Sequence, residues 1–171
     1  MEITYTVTDC RLGKLLVASS TKGLCMVSIG KSEAEMERKV HDHFRREAVR
    51  RDDRGMKAAA AQVKARIEGK GLDKKMPLDL RGTPFQMDVW KEMLRIPAGS
   101  TRSYGEMAKR IGRPKAYRAV ANACGSNPVP IVVPCHRVVA SAGALGGYGL
   151  GLDRKISLLA AEGVSNPKWH S

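Results

Sequence analysis

Cys135 and His136 stand side by side behind a β-branched run, Ile131, Val132 and Val133, that Pro134 closes. A thiolate is a strong nucleophile and an imidazole takes protons near neutral pH, so the pair suggests nucleophilic chemistry at sulfur. A thiol at its ordinary pKa is mostly protonated at neutral pH and needs such a base. Proline has no N–H for a strand ladder, so the run is expected to be a short buried strand that ends at Pro134 and holds the cysteine rigidly. Neighbouring side chains on extended backbone point to opposite faces, so a bridging water or a local turn is needed to couple sulfur and imidazole. Glu162 falls in the last turn of the final predicted helix, where an acid opposes the helix dipole, and it is the candidate to orient the imidazole. Residue types alone leave a second reading open, a packed structural thiol.

The other cysteines, Cys10, Cys25 and Cys124, make no C-x-x-C pair and read as packing residues in a reducing compartment. Cys10 and Cys25 with His41 or His43 match no usual zinc template, so no metal is expected. The five glycines between Gly143 and Gly151 form neither a dinucleotide nor a P-loop fingerprint, and no cofactor is expected. They read as a loop lying close to a ligand, or as a flexible turn. No apolar run approaches a membrane span and the N-terminus carries no export signal, which predicts a cytoplasmic protein without membrane contact. Thirty Lys and Arg against 17 Asp and Glu give a net charge of +13, a balance that favours a polyanion such as nucleic acid. The excess is spread along the chain, +6 over residues 1–82 and +7 over residues 83–171.

The elements that must position the cysteine divide into two lobes. Residues 3–8, 14–19 and 24–29 read as an antiparallel meander, and an S-x-x-E capping box at Ser32 and Glu35 starts a helix over 33–47. The basic stretch Arg45 to Lys57 reads as a solvated loop and 56–68 as a second helix. The connector 72–82 marks the boundary, with an N-terminal α/β lobe over 1–80 and a C-terminal domain over 81–171. Thr83, Pro84 and Gln86 start a core helix over 85–95 that carries Val89, Trp90 and Met93. Ser103 and Glu106 cap a helix over 104–111, Gly112 interrupts it, and Pro114 restarts a helix over 115–124. Helix, glycine turn and helix match both a helix-turn-helix and a plain helical hairpin. Composition tilts toward the first: Lys109, Arg110, Arg113, Lys115 and Arg118 crowd the turn, and Ala116, Ala119, Ala121 and Ala123 permit close approach. Tyr117 and Arg118 are long enough to reach past a phosphate backbone. Asn127 is a natural brace between that helix and the cysteine. The fold class is α+β, with a small N-terminal antiparallel sheet and helices followed by a mainly helical C-terminal lobe.

Pro134-Cys-His-Arg-Val-Val139 resembles the signature of the O6-alkylguanine-DNA alkyltransferases. Arg81 to Gln86, Val89-Trp90, Ser103-Tyr-Gly105, Pro114 to Ala116, Arg118 to Val120, Asn127 to Pro130, Gly147-Tyr148 and Glu162-Gly163 follow in the family's order and spacing. The resemblance implies direct, irreversible transfer of an alkyl group from O6 of guanine, and from O4 of thymine, to Cys135 in flipped-out duplex DNA. It implies that His136 is a water-mediated base, Glu162 its orienting partner, Asn127 a brace and Tyr104 a proton donor that assists extrusion. Arg118 would fill the gap left by the nucleotide, with Ser103, Arg113, Lys115, Ala116 and Tyr117 also on the DNA. Met107, Pro130, Val138, Tyr148 and Gly149 would line the guanine pocket. The N-terminal lobe would be ribonuclease H-like.

The zinc domain of bifunctional bacterial members and the N-terminal zinc ligands of some single-domain members have no counterpart in these residues, so a monomeric stand-alone repair protein is expected, with a domain excised from a longer protein as the alternative. Gly149 stands where several bacterial relatives have a larger residue, which predicts a pocket wide enough for benzyl groups. Two other classes compete: a cysteine hydrolase, disfavoured by the basic helical pair, and a damage sensor or transcriptional regulator that binds DNA with little repair. Sensors of that kind lack the acceptor cysteine, and Cys135 is present.

Overall fold

The computed structural model describes residues 2–170 and resolves into two compact units, Met1–Arg81 and Gly82–Ser171. In the first unit β1 (Glu2–Cys10), β2 (Gly13–Ser20) and β3 (Gly23–Gly30) form the expected antiparallel meander. Their inward residues Ile3, Tyr5, Leu16, Ala18 and Met26 pack against Met36, Val40 and Phe44 of the following helical segment. That helix, α1 (Glu33–His43), ends four residues earlier than the spacing predicts, because Phe44 leaves helical geometry at φ −110° and turns into the core.

The basic stretch read as a solvated loop contains a strand. β4 (Ala48–Arg51) pairs parallel with β1, Ile3 opposite Val49, so the sheet order is β3-β2-β1-β4 and one pair is parallel. Its arginine is satisfied by protein rather than by water alone: Arg51 donates to Glu33 at 2.7 Å, Glu37 at 2.9 Å and Asp53 at 2.8 Å. A four-residue edge strand with two arginines offers little apolar alternation, which is why periodicity missed it. α2 (Lys57–Ile67) follows, and the connector then runs beside β3, with Leu24 donating to Pro77 O at 2.9 Å. Gly23 permits that approach, since a Cβ there would lie 2.4 Å from the Pro77 carbonyl carbon.

The second unit opens with α3 (Pro84–Met93), whose capping box is complete: Thr83 Oγ1 accepts from Gln86 N and Gln86 Oε1 accepts from Thr83 N. Trp90 is 1% exposed, and its indole N–H donates to Ala123 O at 2.8 Å. That bond fixes α3 against α5 (Tyr117–Gly125), the helix that precedes the cysteine segment. Between them lie β5 (Arg102–Ser103) and α4 (Tyr104–Arg110), with Ser103 Oγ accepting from Glu106 N. α5 starts at Tyr117 rather than beside Pro114: Pro114 and Lys115 sit in a turn closed by Ala116 N to Arg113 O at 2.9 Å.

The opening motif is also revised. Ile131 to Val133 form a tight turn rather than a strand, with Ile131 at φ 79°, a conformation that is strained for a β-branched residue. Cys135–Arg137 form a 3-10 turn, and only then does a two-residue strand, β6 (Val138–Val139), pair parallel with β5. The unit closes with α6 (Leu152–Ala161). Among the described residues, no helix is long and apolar enough to cross a membrane.

Trp90→Phe removes the indole donor together with part of a fully buried ring, leaving a buried carbonyl short of one partner. We expect a loss of about 2 kcal/mol in the stability of the second unit, read as a lower urea midpoint at unchanged slope.

Candidate active site

Cys135 is 5% exposed and forms part of the wall of a cavity of about 290 Å³. Tyr104, Cys124, Gly147, Tyr148 and Gly149 share that wall with Ala121, Asn122 and Gly125. Cys135–Arg137 form a 3-10 turn in place of the extended backbone that would send neighbouring side chains to opposite faces. Asn127 braces the approach to it: Nδ2 donates to Val133 O at 2.8 Å and Oδ1 accepts from Val129 N at 3.0 Å.

His136 is 1% exposed, and its Nε2 lies 2.9 Å from Glu162 Oε2. The same carboxylate receives Arg137 Nε at 2.7 Å and Nη2 at 2.9 Å, while Arg137 Nη1 donates to Ile96 O at 2.7 Å. Burial alone raises the pKa of Glu162, but the hydrogen bonds and charges of His136 and Arg137 outweigh it and bring it from 4.5 down to about 2. An ionised carboxylate only accepts, so Nε2 of His136 must carry the hydrogen. Burial holds the imidazole below its usual pKa of 6.5 against the upward pull of Glu162, so it is neutral at pH 7. Its Nδ1 then carries a lone pair, and that atom is buried without a protein hydrogen-bond partner. The arrangement is a base held in one tautomer, beside the thiol in sequence.

Burial pushes the Cys135 thiol up to about 11, opposed by a hydrogen bond from Asn127 and by the charge of Lys155. The resting sulfur is therefore protonated at neutral pH. Lys155 is fully buried, and its ammonium donates to Val138 O at 2.7 Å, Leu145 O at 2.7 Å and Gly147 O at 2.9 Å. Three acceptors need three N–H bonds, which only the protonated amine has. Burial lowers its pKa from 10.5 to about 8, which still leaves it charged at neutral pH. The cation thus ties the cysteine segment to the glycine-rich loop. Tyr104 Oη accepts from Gly147 N at 3.3 Å, and burial raises its pKa, so its own hydrogen remains available to the cavity. Gly146 makes room for it, since a Cβ there would fall 2.6 Å from that hydroxyl. Tyr148 Oη is buried without a protein partner.

Of the residues singled out in the sequence, Cys135, Tyr104, Tyr148 and Gly149 meet at the cavity, and His136, Glu162 and Asn127 stand behind it. Val138, Pro130 and Met107 are buried in the packing and are not among the cavity's lining residues. Arg113, Lys115, Tyr117 and Arg118 are exposed, Ala116 and Ser103 partly so. Sequence reading missed Lys155, Arg137 and Cys124. A lysine in an ordinary amphipathic helix carries no sign of burial, Arg137 was visible only as part of the signature, and Cys124 was assigned to packing.

The model of the 6-O-methylguanine DNA methyltransferase DNA-binding domain matches residues 84–164, and that of the family's ribonuclease-like domain matches residues 3–80. The chain belongs to the 6-O-methylguanine DNA methyltransferase family. It is similar to the bifunctional transcriptional activator/DNA repair enzyme Ada of Escherichia coli, 39% identical over 95% of this chain and 46% of that protein. The chain thus spans about half the length of that relative. The methylated-DNA–protein-cysteine methyltransferase of Mycolicibacterium paratuberculosis is 51% identical over 67% of this chain and 69% of its own. Among solved structures, Mycobacterium tuberculosis OGT in complex with DNA superposes with a TM-score of 0.78 at 38% identity, covering 95% of this chain and 92% of that one. The α+β class, with its N-terminal sheet and helical C-terminal part, is the fold of that neighbour.

The buried carboxylate makes this family member sensitive to acid in a defined window. The pKa of Glu162 lies below its unfolded value, so its contribution is complete above pH 4.5 and is lost as pH falls toward 2. A side chain that is 2% exposed is little screened, and the shift corresponds to ~3 kcal/mol. Acid titration followed by circular dichroism should show this loss in the wild type. Glu162→Gln should be less stable at pH 7 and flatter between pH 4.5 and 2.

Proposed function

We propose that the protein repairs DNA by moving an alkyl group from O6 of guanine to the Cys135 sulfur, once per molecule. The observation that carries this reading is the acceptor thiol in the wall of a closed-in cavity, backed by a neutral imidazole whose tautomer is fixed by Glu162. The names of the relatives support it: a DNA repair enzyme, a methylated-DNA–protein-cysteine methyltransferase and an OGT solved with DNA.

A guanine inside the stack cannot reach a buried sulfur, so the nucleotide must be extruded at a cost of a few kcal/mol. Arg118, exposed near the start of α5, fills the gap it leaves. Arg113, Lys115, Ala116, Tyr117 and Ser103 hold the duplex around it, with α4 and α5 acting as a helix-turn-helix. Contacts to phosphate suit a protein that must act whatever the neighbouring bases are, and they predict weak sequence preference. With the base in the cavity, the Cys135 proton passes through water to His136 Nδ1 and the sulfur attacks the alkyl carbon. A carbon–sulfur bond forms as the carbon–O6 bond breaks, and the electron pair returns to the purine. The Tyr104 hydroxyl donates toward the ring and stabilises that charge. The proton taken up by His136 passes back through water to the purine, restored guanine leaves, and the thioether stays on the protein. O4-alkylthymine is a second substrate of the same chemistry. The protein acts as a monomer in the cytoplasm, on the nucleoid if the cell is bacterial.

Incubation with duplex DNA carrying O6-methylguanine should raise the protein mass by one methyl group, about 14 Da, in stoichiometric amount. Cys135→Ala should show no gain, while repeated turnover by the wild type would reject single-use transfer. Gly149 gives a second test, because a Cβ there would find its nearest heavy atom, Gly125 O, at 3.9 Å. The wall is open at this point, and O6-benzylguanine should inactivate the protein; retention of full repair after prolonged exposure to it would contradict the wide pocket.

A further inference from the structure

The cavity wall formed by Gly147, Tyr148 and Gly149 belongs to a loop that begins in an unfavourable conformation. Ala142 and Gly143 both lie in the left-handed region, at φ 59° and 79°. Glycine adopts it freely, whereas alanine does so only where surrounding structure holds it. The turn is closed by its own backbone bonds, Ala140 N to Ala144 O at 3.0 Å and Ala144 N to Ser141 O at 3.3 Å, and further contacts hold it from residues 166–169. Trp169 Nε1 donates to Gly143 O at 3.0 Å, Asn166 Nδ2 to the same oxygen at 3.4 Å, and Lys168 Nζ to Ala142 O at 3.4 Å. The segment is itself ordered for this, as Asn166 Oδ1 accepts from Lys168 N at 3.0 Å and Asn166 O from Trp169 N at 3.0 Å. The approach is close: a Cβ on Gly143 would meet Asn166 Nδ2 at 3.3 Å.

We propose that Asn166 and Trp169 are positioning residues for alkyl transfer, clamping the strained Ala142–Gly143 turn and thereby setting the wall against which the extruded base rests. Neither lines the cavity; both act through the loop. The far end of that loop is anchored by Lys155 on Leu145 O and Gly147 O and by Tyr104 on Gly147 N. Ala144 is tied back to Ala140 and Ser141 and Leu145 O to Lys155, so little chain lies between the turn and the wall to absorb a rotation at Ala142. Gly146 lies beside Tyr104 at φ 76°, where an added Cβ would fall 2.6 Å from the hydroxyl. Releasing the turn consequently displaces Tyr104 and the wall together. The inference rests on the alkyl-transfer reading for its kinetic consequence, but the clamp has a readout of its own.

Trp169→Phe keeps the ring and removes the donor. Single-turnover methyl transfer at saturating DNA should slow about fivefold, the scale of one net hydrogen bond, while DNA affinity and the melting temperature stay unchanged. Amide hydrogen exchange over residues 141–149 should speed up in the same variant. Ala142→Gly placed in the Trp169→Phe background should recover most of the rate, since glycine removes the strain that the clamp opposes. An unchanged transfer rate in Trp169→Phe, or no recovery on adding Ala142→Gly, overturns the proposal. Should the wild type take up no methyl group at all, the transfer reading fails separately. Hydrogen exchange then decides the clamp, and unaltered exchange over 141–149 in Trp169→Phe refutes it.

Discussion

Glu162 is a full negative charge with a side chain 2% exposed, and much of the second unit is arranged to tolerate it. A carboxylate removed from water is stable only when paired and hydrogen-bonded on both oxygens. Its partners come from the cysteine turn itself: the His136 imidazole on one oxygen and the Arg137 guanidinium on both. Arg137 then extends to Ile96 O, just beyond α3. One ionic cluster therefore locks the end of α6, the cysteine turn and the end of α3, and it selects the imidazole tautomer as a by-product. Structural and chemical demands coincide at these atoms, so removal of Glu162 both frees the imidazole and strands a buried arginine.

Lys155 solves the complementary problem. It has no acidic partner among its described contacts and is solvated by three carbonyls, one next to the cysteine turn and two in the glycine-rich loop. Carbonyl dipoles stabilise a buried ammonium only if they converge, which makes the cation a template for the loop. It also places positive charge near the sulfur, lowering the energy of the thiolate relative to the same thiol without it. The cavity is thus bounded on one side by a helix fixed through Trp90 and on the other by a loop fixed through Lys155 and Tyr104.

The meander, the capping box at Thr83 and the apolar face of α3 were legible because local propensity and tertiary packing agree there. β4 was not legible, since two arginines in a four-residue strand look like a solvated loop until α1 presents Glu33 and Glu37 to one of them. The run Ile131 to Val133 misled for the opposite reason. β-branched residues favour strands, yet Ile131 is forced to φ 79° by the turn that Asn127 braces. Cys135, His136 and Glu162 stood out by residue type, which already offered Glu162 as the orienting partner of the imidazole, and the geometry adds their 2.9 Å contact. Lys155 could not be found from its own sequence neighbourhood, because burial is a property of what packs over a residue.

The raised pKa of the Cys135 thiol is compatible with the single-use chemistry proposed for it. A protein spent by each reaction gains from a nucleophile that is silent until a substrate arrives, since a permanently ionised sulfur would be consumed by any passing electrophile. Burial supplies that silence by keeping the proton on sulfur. In the proposed transfer, with His136 already in place, activation awaits an aligned electrophile, which the cavity would hold once a flipped base excludes solvent. The base itself must be neutral at rest, and the burial that protonates the thiol also deprotonates the imidazole. Burial therefore holds both members of the pair in their neutral forms, raising the thiol and lowering the imidazole, and Glu162 opposes that effect at His136.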